Sequence, residues 1–158
     1  MVTIAIDFGY SAIRVAIFND FNEDEVPKAE VLPNDLGDRA TPTVIAIDDQ
    51  TRLVGVDAIT HSALNPHNAV YGIKRIIGRS ESDVVFKQQR NRYSFIHHVS
   101  NERLKCLFTK NDKIEDDESF TESSVEERTF EELLAFIFHK IKENAELELQ
   151  AINPDCKS

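Results

Sequence analysis

The sequence predicts an α/β fold in which an apolar hairpin opens the chain and an amphipathic helix closes it. Three observations predict this. Two apolar runs, Val2–Ile6 and Ala12–Phe18, flank Asp7-Phe8-Gly9-Tyr10-Ser11, and β-branched runs of that length around a Gly-containing turn form a hairpin. Near the end, Thr129 and Glu132 have the spacing of a capping box, and Leu134, Ile137, Phe138, Ile141 and Ala145 fall on one helical face. Between the two, short strand-like and helix-like stretches alternate.

The elements follow in order. Both hairpin strands are apolar at nearly every position, which predicts that they are central and covered on both faces. An acidic loop from Asn19 to Glu25 leads to a third strand over about Lys28–Leu32. The segment from Pro33 to Pro42 is a long polar turn punctuated by Gly37 and two prolines. Thr43–Ile47 and Arg52–Val54 read as strands, with Gly55 ending the second. Val56–Leu64 is a short helix stopped by Asn65-Pro66. Val70, Ile73 and Ile77 keep helical spacing, so Asn68–Ile77 is expected as a second helix that stops at Gly78. Ser80 or Ser82 is expected to cap a third helix over about Asp83–Arg90. Loose alternation from Tyr93 to about Phe120 predicts a small antiparallel sheet with an acidic turn near Glu115–Glu118, and Glu122–Arg128 reads as a polar connection. The closing helix is expected to run to about Leu149, and Asn153-Pro154 to break it.

Composition excludes several functions. With 18 Lys+Arg against 28 Asp+Glu, the net charge of −10 argues against a broad nucleic-acid or anionic-membrane surface. A single nucleotide is compatible, because Mg²⁺ and one or two basic residues can meet its charge locally. Asp7 interrupts the first apolar run, so no signal peptide is expected, and no run approaches the ~18 apolar residues of a membrane span. Cys106 and Cys156 are far apart and in no C-x-x-C pattern, which fits a reduced, cytoplasmic compartment. Cys106 alternates with Leu104 and Phe108 and is expected in the core. No metal site is expected: His97-His98 lack a second pair at ligand spacing, and His61, His67 and His139 show no partners in the sequence.

The chemistry is concentrated in the first turn. A carboxylate, Asp7, ends the strand. Gly9 allows a tight bend and close approach of the backbone to a ligand. Ser11 adds a hydroxyl. Backbone N–H groups in such a turn can converge on a phosphate, and the carboxylate can hold Mg²⁺ directly or through water.

Several segments in order resemble one family, the seventy-kilodalton heat-shock chaperones of the DnaK type. Ile4-Ala5-Ile6-Asp7-Phe8-Gly9-Tyr10-Ser11 is similar to the family's first phosphate loop, I-D-L-G-T-T. Asn34-Asp35-Leu36-Gly37-Asp38-Arg39-Ala40-Thr41-Pro42-Thr43 resembles N-D-x-G-x-R-x-T-P-S, and Lys74-Arg75-Ile76-Ile77-Gly78-Arg79 resembles K-R-L-I-G-R. Leu53–Ala58 and Asn65–Val70 fit the stretches between them, and Phe130–Glu146 falls where the family places the helix that closes this lobe.

The resemblance implies an actin-like (ribonuclease H-like) ATPase domain, of which lobe I only is present. Residues 1–38 and 114–158 would form part of its inner subdomain and 39–113 its outer one. It implies ATP and Mg as cofactors, Lys74 as the catalytic residue near the outermost phosphate, and Asp7 as the Mg-associated carboxylate, acting through water. Gly9, Tyr10 and Ser11 would bind the phosphates through the loop. Tyr10 departs from the pattern, standing where the family has its first Thr. The family's second phosphate loop and adenosine site have no counterpart in these 158 residues, so the expectation is a truncated nucleotide-binding domain of a folding chaperone, active as part of the stress response. Its expected partners are ATP or ADP and co-chaperones or nucleotide-exchange factors, with unfolded clients reached only through a longer parent chain. Nucleic acid and membrane are not expected partners. The alternative expectation is a non-enzymatic interaction module that binds chaperones or co-chaperones without hydrolysing ATP.

Overall fold

Helix α4 (Phe130–Ile152) organises the packing, because one side of it meets strands from different parts of the chain. The computed structural model describes residues 3–19, 28–48, 51–90, 96–100, 103–109 and 125–152. The expected acidic loop after Asn19, the acidic turn at Glu115–Glu118 and Cys156 lie outside them.

Strands β1 (Ile4–Phe8) and β2 (Ala12–Asn19) form the expected antiparallel hairpin, with Phe8 opposite Ile13 and Ile4 opposite Ile17. β3 (Lys28–Val31) and the two-residue β4 (Thr41–Pro42) both pair with β2. Directly opposed residues share a face, so Ile4, Ile6 and Phe8 lie on the side of Ile17, Val15 and Ile13. On that side the helix covers β2 and Leu32, the residue after β3, where Ile17, Leu32 and Ala145 form one buried cluster. The hairpin is therefore not covered on both faces, as its apolar sequence predicts. β1 is an edge strand among the described residues, with Ile4 36% and Ile6 40% exposed. Its last residue, Phe8, reaches the helix, with its ring 5.5 Å from that of Phe138.

A second sheet has β5 (Val44–Asp48) between β6 (Thr51–Val54) and β7 (Ala69–Tyr71). Helix α1 (Val56–Leu64) lies where the sequence places it and buries Ala58 against Ala46 and Ala69. The expected helix over Asn68–Ile77 is not one element. A 3₁₀ turn (Pro66–Asn68) leads into β7, and only Ile73–Ile76 is helical, as α2. The spacing of Val70 and Ile73 suits a helix, but pairing of β7 with the edge of β5 buries Ala69 and Val70 instead. Gly72, left-handed at φ 69°, then separates strand from helix. Buried Asn68 ties this bend to the third sheet. Its amide Nδ2 donates to the Thr109 carbonyl at 2.7 Å, and its Oδ1 accepts from the Thr109 N–H at 3.0 Å.

Helix α3 (Val84–Gln89) is capped by Asp83 rather than by a serine. The Asp83 carboxylate accepts from the N–H groups of Val85 and Phe86, while the Ser80 and Ser82 hydroxyls pair with each other. The third sheet is antiparallel, with β9 (Arg103–Thr109) between β8 (Ile96–Ser100) and β10 (Val125–Thr129). β10 replaces the expected polar connection over Glu122–Arg128. Its charged residues suit an edge strand, and Glu127 pairs with Lys105 of β9 at 2.8 Å.

The capping box before α4 is present. The Thr129 N–H donates to Glu132 Oε2 at 2.9 Å, and the Glu132 N–H donates to Thr129 Oγ1 at 3.2 Å. α4 buries Phe130, Leu133, Ile137, Ile141 and Ala145, so the deepest stripe passes through Leu133, with Leu134 and Phe138 at its margin. The main core joins this stripe to Ile13, Ile45, Val70, Ile73, Phe86, Cys106 and Phe108. The position of Cys106 agrees with its alternation. Among the described residues, no helix is long and apolar enough to cross a membrane.

Candidate functional site

The first turn is closed by its own backbone. The Gly9 N–H donates to the Ala12 carbonyl at 3.0 Å. A side chain at position 9 would not fit, because its Cβ would fall 2.4 Å from that same carbonyl oxygen. Gly9 is thus required by close approach of two backbone segments. Its N–H is used within the hairpin, whereas Tyr10 and Ser11 form the exposed crest of the turn. Thr43 fixes the crest from the neighbouring segment. Its Oγ1 donates to the Gly9 carbonyl at 3.1 Å and its N–H donates to the Ser11 carbonyl at 3.0 Å. Two residues before Thr43, Thr41 closes a loop organised by Asn34. There Asn34 Oδ1 accepts from the N–H groups of Leu36 and Asp38, and its Nδ2 donates to Thr41 Oγ1 at 3.3 Å.

Lys74 reaches this turn from α2, 66 residues away in the chain. Its Nζ donates to the Phe8 carbonyl at 2.7 Å and lies 5.6 Å from the Phe8 ring centroid. Arg75, the next residue, stacks on Tyr10, with its guanidinium carbon 4.1 Å from the ring centroid. The Tyr10 ring also lies against Gly72. A Cβ there would come within 3.0 Å of the ring edge and 3.2 Å of the phenol oxygen. Asp7 lies one residue before Phe8 with its side chain 68% exposed, and its ion-pair partner is Arg14, directly across the ladder at 3.6 Å.

Lys74, Phe8, Gly9, Tyr10 and Thr43 are therefore brought together, with Asp7 and Arg14 beside them on β1 and β2. Among the described residues, neither Lys74 nor Arg75 is ion-paired to a carboxylate. Two unpaired cations at one exposed turn form a local positive pole on a chain of net charge −10. Sequence reasoning missed Thr43, Gly72 and Arg75. Thr43 and Arg75 stood inside quoted motifs but carried no chemical signal of their own, and Gly72 lay inside an expected helix.

Asp7 is the carboxylate at this turn that could associate with Mg²⁺. A lone, largely exposed carboxylate with Arg14 nearby would hold such an ion through water. No cluster of three or more His, Cys, Asp or Glu able to hold a metal occurs among the described residues. Two histidines without visible sequence partners do have acidic neighbours: His61 Nδ1 lies 3.9 Å from Asp48, and His139 Nε2 lies 3.3 Å from Glu143.

Comparison with known proteins bears on the same residues. A family model described as Hsp70 protein matches residues 3–155. The chain is 30% identical to putative heat shock 70 kDa protein 7 of Homo sapiens, over 94% of this chain and 36% of that relative. It is 31% identical to heat shock 70 kDa protein 14 of Danio rerio, over 99% of this chain and 27% of the relative. Against heat shock cognate 70 kDa protein 3 of Dictyostelium discoideum, identity is 34% over 92% of this chain and 21% of the relative. The match thus spans between a fifth and about a third of the length of these relatives.

Proposed function

The chain belongs to the Hsp70 protein family, and from that premise we propose that its first turn and Lys74 form one side of the phosphate site of an ATP-dependent chaperone's nucleotide-binding domain. The observation that carries the reading is the convergence of Lys74 and Arg75, both without carboxylate partners among the described residues, on the turn after Asp7. In this reading the Tyr10 and Ser11 N–H groups meet the phosphate chain, and Gly9 sets the bend that presents them. Lys74 faces the outermost phosphate as a compact cation with three donors, one of which already anchors it to the Phe8 carbonyl. Phosphoryl chemistry needs mainly positioning and charge neutralisation. Mg²⁺, if bound with the nucleotide, would be held by Asp7 through water and would supply charge neutralisation to the phosphates. Residues 1–38 and 114–158 act as the inner part of an actin-like lobe, and 39–113 as the outer part that carries Lys74. Co-chaperone and client contacts, and a cytoplasmic setting, belong to the same reading.

Calorimetric titration of the folded chain with Mg-ADP and Mg-ATP tests it, with Lys74→Ala in parallel. Charged hydrogen bonds contribute about 1.5–3 kcal/mol, so Lys74→Ala is expected to weaken Mg-ATP binding by about 10- to 100-fold. A folded chain that binds neither nucleotide would overturn the phosphate-site reading and leave the non-enzymatic interaction module in its place.

A further inference from the structure

The phosphate-site reading assigns a place to Lys74 and to the loop N–H groups, but not to the Tyr10 side chain. That side chain packs on two neighbours while Tyr10 stays 40% exposed. Its ring is held on one face by the Arg75 guanidinium at 4.1 Å. Its edge and hydroxyl lie in the space left by the absent side chain of Gly72, where a Cβ would meet the ring at 3.0 Å. Gly72 caps α2 at its N-terminal end in a left-handed conformation. The phenol therefore spans the gap between the hairpin crest and the turn of α2 that bears Lys74, two residues after Gly72. Three restraints fix it there: the stacked cation, the glycine cradle and the crest itself, which Thr43 ties down from behind.

We infer that Tyr10 closes the outer end of this phosphate site, so that the site accepts a nucleoside diphosphate in preference to a triphosphate. The inference rests on the phosphate-site reading above. A phosphate chain laid along the crest extends outward to Lys74, and the first groups along it meet only the N–H groups of Tyr10 and Ser11. A third group would enter the gap that the phenol bridges. To make room, the ring must leave Arg75 and Gly72, giving up a cation–π contact and close packing at once. A diphosphate imposes no such displacement. The ring, rather than the hydroxyl, carries this selectivity, because it is the ring that bridges crest and helix.

The test is calorimetric titration of the whole 158-residue chain with Mg-ADP and Mg-ATP, repeated with Tyr10→Thr and Tyr10→Phe. Circular dichroism establishes that each variant is folded. The parent is expected to bind Mg-ADP about tenfold or more tightly than Mg-ATP, a ratio in the range that a steric wall supplies. Tyr10→Thr is expected to bring the two affinities within about threefold of each other, chiefly by tightening Mg-ATP. Tyr10→Phe keeps the ring and is expected to keep the parent's ratio. Equal affinities in the parent overturn the inference without recourse to any variant, as does an unchanged ratio in a folded Tyr10→Thr chain. Absence of binding by the parent and by Tyr10→Thr overturns the phosphate-site reading and, with it, the selectivity. Binding with an unselective ratio overturns the selectivity alone.

Discussion

Replacing Gly9 with Ala tests whether the first turn depends on backbone contact rather than on flexibility. The new Cβ would stand 2.4 Å from the Ala12 carbonyl oxygen, so the two must separate by at least about 0.6 Å to reach the 3.0 Å that such contacts require. The neighbour is backbone and cannot rotate away. That carbonyl also accepts the Gly9 N–H, so relief of the clash stretches the bond that closes the turn. Two further bonds depend on the same crest: Thr43 Oγ1 to the Gly9 carbonyl and the Thr43 N–H to the Ser11 carbonyl. At about 1 kcal/mol for each bond, loss of two to three costs roughly 2–3 kcal/mol. Reduced freedom of the unfolded chain returns about 0.4–1 kcal/mol. The net expectation is destabilisation by about 1–2 kcal/mol, read from urea unfolding followed by far-ultraviolet circular dichroism. Nucleotide binding should fall further than stability does, because the crest N–H groups move. A Gly9→Ala chain within about 0.5 kcal/mol of the parent, with nucleotide affinity intact, would refute the close-approach argument.

Two other predictions concern the supporting structure. Hydrogen bonding from the Phe86 N–H holds the Asp83 carboxyl below its ordinary range, and Arg79 and the Val85 N–H act in the same direction against the opposing effect of burial. A carboxyl depressed on folding stabilises the folded state above its unfolded value of about 3.9 and loses that contribution as pH falls through the folded value. The parent should therefore be more stable than Asp83→Asn at pH 6, with the gap narrowing below about pH 4; a gap independent of pH would refute the assignment. Burial pushes the Cys106 thiol far above its ordinary range. In a Cys156→Ser background, labelling of native Cys106 at pH 8 should be about a hundredfold or more slower than in urea, because it waits for local opening. Prompt labelling of the native chain would place Cys106 outside the core.

The places where sequence and structure agree share a cause, as do those where they differ. The α4 capping box and α1 involve interactions within one or two helical turns, so local chemistry decides them. The Gly9 bend is likewise signalled by its neighbours. β7 was concealed because Val70 and Ile73 satisfy a helical period by chance, and only the exposed edge of β5 makes the strand the better burial for Ala69 and Val70. β10 was concealed because its charges suggest a connection until Lys105 of β9 supplies a partner for Glu127. In the hairpin the apolar pattern was correct about strand type but wrong about cover, since which strand α4 lies on is a matter of packing.

By itself the sequence determined the strand–turn–strand unit and the family to which it belongs, because these are properties of short ordered motifs. The tertiary structure decided what those residues do to one another. It brings Lys74 to the Phe8 carbonyl across 66 positions, seats Tyr10 between Gly72 and Arg75, and uses Thr43 to fasten the crest. Each of these is a long-range contact set by how the sheets and α4 pack, and no local propensity encodes it.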